Sequence, residues 1–218
     1  MPKNFDLIVF DWDGTLMDSA ATIVSAIQKS AQDTDLPIPT DAAARHIIGL
    51  GLVEALTYLY GELSMPQQNR LVDRYRHHYI AASAHLPLFA GVDALLAALH
   101  EQGYKLAVAT GKGRSGLDSV LASSGLRDYF HASRCADETF SKPHPAMLLE
   151  LMDELDSTTE RTLMIGDTSH DLQMAINAKV AAVGVAYGAH PREHLAALSP
   201  AACVNNVREL RAWLDANG

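Results

Sequence analysis

The chain has 218 residues, of which 48% are apolar, and it carries a formal net charge of −9. This length and composition allow a sizeable buried core, either one large domain or a domain with a smaller insert. The acidic balance argues against a nucleic-acid partner, and no apolar run is long enough for a signal peptide or a transmembrane helix. We therefore expect a cytoplasmic protein with neither nucleic-acid nor membrane partners.

The first predicted strand is the apolar run from Phe5 to Phe10, and it ends at a pair of acids. Asp11 and Asp13 follow at spacing i, i+2, which puts both carboxylates on one side of an extended segment. Ligands of open parallel sheets bind at the carboxyl ends of strands, so this pair is a candidate functional site. The alternative is an ordinary acidic turn. Asp18 and Ser19 are predicted to cap the next helix rather than to bind a ligand.

Residues 18 to 84 show helical periodicity without a convincing strand. Predicted helices are Ser19 to Ala31, a short one from Thr40 or Asp41, Val53 to Tyr60, and Pro66 to Ala82. This segment interrupts an otherwise alternating pattern, so we predict a small inserted domain. The predicted organisation is an α/β core of residues 1–17 plus 85–218 with an α-helical cap of residues 18–84.

After residue 85, strands and helices alternate along the chain, which is typical of a doubly wound, Rossmann-like parallel sheet. The predicted strands are Lys105 to Ala109, Ala132 to Cys135, Thr162 to Ile165 and Val180 to Val185. The predicted helices cover Val92 to Leu99, Ser115 to Ser124, Met147 to Leu155, His170 to Ala178 and a last one from Asn206.

Polar residues follow three further strand ends, and in a parallel sheet these ends lie along one edge. The candidates that can converge there are Asp11, Asp13, Thr110, Lys142, Asp167 and Asp171. Crowded carboxylates repel one another unless a hard cation lies between them, and oxygen ligands favour magnesium. The Lys142 ammonium and the Thr110 hydroxyl suit phosphate oxygens. The pattern therefore indicates a site for Mg²⁺ and a phosphate group.

These four strand ends, in this order and with a helical insert after the first, resemble the four motifs of the haloacid dehalogenase (HAD) superfamily. The similarity is greatest to its phosphoglycolate-phosphatase-like branch and covers essentially the whole chain. A single motif of this kind would be weak evidence, whereas an ordered set of four is strong. The resemblance implies a Rossmann-like core with a helical cap.

The resemblance also implies roles for individual residues. Asp11 would be the nucleophile that forms an aspartyl phosphate, and Asp13 the general acid and base. Thr110, the Gly111 backbone and Lys142, itself a catalytic candidate, would bind the transferred phosphoryl oxygens.

Mg²⁺ would be held by Asp11, the backbone carbonyl of Asp13, and Asp167. Asp171 would either be a further ligand, through water, or the partner that orients Lys142. An alternative for Asp171 is a purely structural role at the start of its helix, where the macrodipole favours an acid.

The implied function is a Mg²⁺-dependent phosphatase that acts on a small phosphorylated metabolite, as a monomer or homodimer. Asp13 argues against a dehalogenase, and Lys29, the only lysine of the insert, does not favour a phosphonatase. Two alternatives remain: a sugar phosphomutase of the same superfamily, and a receiver-like signalling module that carries a phosphoaspartate.

Other polar residues have less specific interpretations. The stretch Arg45 to Gly51 is the candidate for substrate choice, because its two glycines allow a loop to reach the site, although a simple break between helices is the alternative. Lys112 and Arg114 suit exposed loop charges as well as ligands. The histidines lack the spacing of a zinc site, and Cys135 and Cys203 are predicted to be reduced core thiols.

Overall fold

Six parallel strands form one sheet, in the order β3-β2-β1-β4-β5-β6, in the computed structural model, which describes residues 4–83 and 86–218. The strands are β1 (Leu7–Phe10), β2 (Lys105–Thr110), β3 (Ala132–Cys135), β4 (Thr162–Gly166), β5 (Ala181–Val185) and β6 (Ala202–Val204). Strand β1 lies between β2 and β4, with Phe10 in register with Val108 on one side and Ile165 on the other. The carboxyl ends of these three strands are therefore neighbours.

Helices cover both faces of the sheet, because β1 is apolar at every position and sends alternate side chains to opposite faces. Ile8 and Phe10 belong to one buried cluster, whereas Leu7 and Val9 belong to another. The helices that follow the insert are α5 (Val92–Glu101), α6 (Arg114–Ser124), α7 (Ala146–Glu154), α8 (Ser169–Ala178), α9 (Arg192–Ala196) and α10 (Val207–Asn217). The predicted doubly wound fold is confirmed.

Between β1 and β2, the described residues 18–83 contain helices and no strand. These helices are α1 (Ala20–Asp33), α2 (Asp41–His46), α3 (Leu52–Tyr60) and α4 (Met65–Ser83). They share a third apolar cluster that includes Ile23, Ile27 and Ile48, and Asp33 of α1 binds Arg74 and His78 of α4. The predicted boundary at 84/85 and the first three residues of the predicted core lie outside the described residues.

Two elements near the end of the chain were not predicted, namely α9 and β6. Both are short, with five and three residues, so neither shows a full hydrophobic period. Strand β6 is recognisable only by its pairing with β5. Across the described segments, no helix combines the length and the apolar character that crossing a membrane requires.

Candidate active site

The carboxyl ends of β1, β2 and β4 bring the predicted site residues together. Asp11 directly follows β1, Thr110 ends β2, and Asp167 directly follows β4. Asp171 lies in the first turn of α8, and Lys142 lies in the loop before α7. All five side chains are buried. The convergence that the strand ends predicted is therefore present.

Lys142 is the positive centre of this cluster. Its Nζ lies 2.7 Å from Oδ1 of Asp11, to which it donates a hydrogen bond, and 2.7 Å from Oδ1 of Asp171. Burial alone lowers the pKa of Lys142, but the two carboxylates outweigh burial and raise the pKa above its ordinary value. The ammonium therefore stays charged.

Asp171 contacts both the start of its own helix and Lys142. Its Oδ2 accepts hydrogen bonds from the Thr168 amide at 3.0 Å and from the Thr168 hydroxyl at 2.7 Å. The Thr168 hydroxyl in turn accepts from the Asp171 amide, which completes a capping box at the start of α8. The other carboxylate oxygen faces Lys142. Asp171 thus connects the start of α8 to the lysine of the site.

Asp167 is fixed by donors from two other segments. The Thr15 hydroxyl donates to its Oδ1 at 2.8 Å, and the Ala189 amide donates to its Oδ2 at 2.7 Å. Gly14 passes so close, at a φ of +84°, that a Cβ there would overlap this carboxylate. Thr15 and Ala189 had not been predicted as parts of the site, since only tertiary packing brings them to Asp167.

The acidic cluster fits a divalent cation. Asp11, Asp167 and Asp171 each offer an oxygen, and these three atoms lie within 4.8 Å of one another. Burial, and then the charges of neighbouring acids, raise the pKa of Asp11 to about 7 against the opposing effect of Lys142. Burial, Asp11 and Asp171 raise the pKa of Asp167 well above its ordinary value. Oδ2 of Asp11 is buried and has no hydrogen-bond partner in the described part of the chain, as a free ligand position would require.

Asp13 lies beside this cluster and is bound by side chains of other segments. The Ser19 hydroxyl donates to it at 2.7 Å, and Lys112 Nζ lies 3.1 and 3.0 Å from its two oxygens. Ser19 does occupy the N-cap position of α1, but its side chain makes no capping bond. The prediction that Ser19 caps this helix is therefore wrong for its side chain, because the hydroxyl is engaged by Asp13 instead.

The segment that precedes α3 reaches the edge of the site. A Cβ on Gly111 would lie 2.6 Å from the Gly49 carbonyl oxygen and would also overlap the Leu50 carbonyl oxygen. The Gly51 amide donates to the Ser141 hydroxyl at 2.7 Å, one residue before Lys142. The predicted stretch Arg45 to Gly51 thus contacts the loops that carry the site.

Three histidines meet where the end of α2 contacts α8 and the segment between β5 and α9. His170 Nε2 and His190 Nε2 donate to the His46 carbonyl oxygen at 2.7 and 3.1 Å. The Ser169 amide donates to His190 Nδ1 at 3.0 Å. Both ring nitrogens of His190 are therefore engaged, so the trio does not offer three free lone pairs to a metal.

Arg114 and His144 lie outside the acidic cluster. Arg114 forms a salt bridge with Glu138 at 2.7 Å. His144 is exposed and packs against the Phe140 ring, with 4.4 Å between the ring centroids. Neither side chain contacts the acids in the interactions described above.

Comparison with known proteins gives a consistent result. Residues 8–185 match the family model described as haloacid dehalogenase-like hydrolase. The chain is 38% identical to "Probable phosphatase IndB" of Dickeya dadantii over 212 residues, which cover 94% of this chain and 91% of that protein. It is 31% identical to a phosphoglycolate phosphatase of Agrobacterium fabrum over 84% of this chain and 81% of the relative.

A solved structure supports the same assignment. The crystal structure of a predicted phosphatase from Clostridium acetobutylicum superimposes with a TM-score of 0.86 at 26% sequence identity. The alignment covers 97% of this chain and 99% of the other. The similarity therefore extends over the sheet and the inserted helices together.

Proposed function

The chain belongs to the haloacid dehalogenase-like hydrolase family and is a phosphatase, and on that premise we propose that it hydrolyses a small phosphomonoester through an aspartyl phosphate on Asp11, with Mg²⁺. One observation carries the proposal: a buried, unpartnered oxygen of Asp11 beside Lys142 and two further acids. Nucleophile, counter-charge and ligand oxygens for a cation are then all available at one point.

The proposed reaction proceeds in two steps on this chain's own residues. A carboxylate oxygen of Asp11 attacks phosphorus, and the ester P–O bond breaks while Asp13 gives a proton to the leaving oxygen. Asp13 then takes a proton from water, which attacks the phosphoryl group and breaks the bond to Asp11. The products are inorganic phosphate and free Asp11, and Asp13 regains the proton that it gave to the leaving oxygen.

The remaining residues would position the phosphoryl group and neutralise its charge. Asp11, Asp167 and the backbone carbonyl of Asp13 would hold the cation, with Asp171 oriented toward Lys142. The bound cation would supply charge neutralisation for the phosphoryl oxygens. Thr110, the Gly111 amide and Lys142 would bind those oxygens as well. The burial of the Thr110 and Lys142 side chains supports this role, because electrostatic contacts are stronger where water is excluded.

We further propose that residues 18–84 act as a cap that opens for substrate and closes over the site, in a cytoplasmic enzyme. The contacts of Gly49, Leu50 and Gly51 with the site loops support this proposal. Phosphoglycolate phosphatases among the relatives suggest a substrate class of small phosphorylated metabolites.

The test is hydrolysis of an aryl phosphate and of a panel of phosphorylated metabolites, with Mg²⁺ and with a chelator. We expect turnover only with the cation, and loss of turnover in Asp11→Asn with an unchanged unfolding temperature. Appreciable turnover by that variant would exclude Asp11 as the nucleophile.

A further inference from the structure

Ser19 and Lys112 donate to the Asp13 carboxylate, and a residue of the insert contacts Lys112 in turn. Ser19 is the N-cap residue of α1, whereas Lys112 lies in the loop between β2 and α6. Lys112 Nζ also donates to the Tyr79 hydroxyl of α4 at 2.8 Å and lies 4.5 Å from the centre of that ring. Asp13 is therefore held where the inserted helices meet the sheet.

Lys112 is committed to these contacts. An ammonium has three protons to donate, and the two oxygens of Asp13 and the Tyr79 hydroxyl account for three contacts. The side chains of Lys112 and Asp13 are only 9% and 10% exposed, so their attraction is less screened than in water. The alternative that Lys112 is an exposed loop charge is therefore wrong.

Tyr79 completes the arrangement from the insert. Burial, and then the Asp13 charge and a hydrogen bond to it, raise the pKa of Tyr79 above its ordinary value. The hydroxyl therefore remains protonated and is a neutral partner for both charged groups. Its ring also stacks on that of Tyr75, one helical turn earlier, with 5.8 Å between the centroids.

We propose that Lys112 and Tyr79 are positioning residues that fix the plane of the Asp13 carboxyl group, which gives a proton to the leaving oxygen from its protonated form and is left as a carboxylate. A general acid has to lie within about 2.6–3.2 Å of its partner atom. Ser19 holds a single oxygen of Asp13, whereas Lys112 contacts both oxygens and so fixes the plane of the group. Tyr79 fixes the flexible lysine, and it does so only while α4 is packed on the core. This inference rests on the proposed function.

The test is the dependence of kcat/KM on the leaving group, in a series of aryl phosphates whose phenols differ in pKa. This ratio includes the step in which the leaving oxygen departs, and a poor leaving group needs the proton most. We expect Lys112→Met to lower kcat/KM by roughly 10- to 100-fold for the most basic phenols and by much less for the most acidic. Asp13→Asn should likewise make kcat/KM depend more steeply on the pKa of the phenol. Lys112→Arg should restore part of the kcat/KM that Lys112→Met loses with the most basic phenols.

Two further variants make the test specific. Tyr79→Phe keeps the ring but loses the hydroxyl. It should also make kcat/KM depend more steeply on the pKa of the leaving phenol, by less than Lys112→Met does. Lys29→Met, at an exposed position of α1, is the matched control and should leave the dependence unchanged. Unfolding temperatures identify a variant that does not fold, and if Lys112→Met fails to fold, Tyr79→Phe decides.

Each contrary result has its own meaning. An equal loss for all leaving groups in Lys112→Met would overturn the proposal and assign Lys112 to substrate binding. An unchanged dependence in Tyr79→Phe would remove Tyr79 from the proposal, and it would overturn the whole proposal if Lys112→Met does not fold. A wild-type protein that turns over none of the esters with Mg²⁺ would instead refute the proposed function.

Discussion

Lys142 Nζ lies 2.7 Å from a carboxylate oxygen of Asp11, and both side chains are almost wholly buried. Lys142 also forms an ion pair with Asp171, so one ammonium group is shared by two carboxylates. Asp167 is a third acid close by. A buried ion pair contributes little net stability, but removing one partner leaves an uncompensated charge. The site is therefore sensitive to loss of the lysine and responsive to an added cation.

Lys142→Met should lower the free energy of unfolding by about 3–5 kcal/mol and abolish turnover, because the buried acids lose their counter-charge. Mg²⁺ should then stabilise the variant more than the wild type. Urea unfolding with and without Mg²⁺ measures both effects, with Lys29→Met as the control. A loss of less than about 1 kcal/mol would contradict the importance of this ion pair.

Asp167→Asn should remove most of the stabilisation by Mg²⁺ without destabilising the protein in a chelator. The raised pKa of Asp167 means that its ionised form is unfavourable in the fold without a cation, so the neutral amide relieves repulsion. Wild-type protein should gain about 2.7 kcal/mol at a Mg²⁺ concentration of 100 times Kd. Calorimetric unfolding with and without Mg²⁺ measures this, and an undiminished gain in the variant would exclude Asp167 as a ligand.

The part of the site that lies at strand ends could be predicted from the sequence. Asp11 and Asp167 each follow a run of apolar residues, and parallel pairing of neighbouring strands necessarily places such positions side by side. The same local patterns indicated the α/β core. Element bounds were close as well, since β3 begins and ends at the predicted residues.

The contacts between the insert and the core could not be predicted, because they depend on tertiary packing. The helical spacing of Tyr75 and Tyr79 gives no sign of the contact between Tyr79 and Lys112. His46 and His190 are separated by 144 positions, and no spacing rule connects them. Long-range side-chain pairing of this kind has no periodic signal.

Gly111→Ala should reduce kcat/KM by at least about tenfold, because its Cβ would meet the carbonyl oxygens of Gly49 and Leu50 and displace that segment from the site. The overlap is relieved if the inserted helices move away, so the unfolding temperature should change little. Gly116→Ala is the matched control, since the nearest atom to its Cβ would be 3.8 Å away. Equal kinetics in the two variants would show that close approach at Gly111 is dispensable for turnover.

Acid should destabilise the protein partly through His190. Burial, and then the neighbouring His170, lower the pKa of His190 to about 4 from an ordinary value of 6.5. Between these values the unfolded chain binds a proton at this residue that the folded chain does not, so the contribution of His190 to the free energy of unfolding falls as pH falls. A single group of this kind contributes a slope of about 1.4 kcal/mol per pH unit.

His190→Gln should make this slope shallower, because an amide keeps a donor for the His46 carbonyl and an acceptor for the Ser169 amide but does not titrate. Urea unfolding at several values between pH 7.5 and 4.5 measures the difference. Some slope should remain, since burial also lowers the pKa of His170. His144→Gln, at an exposed position, is the control. If the two variants lose stability equally with falling pH, the contacts of the His190 imidazole do not couple folding to proton uptake.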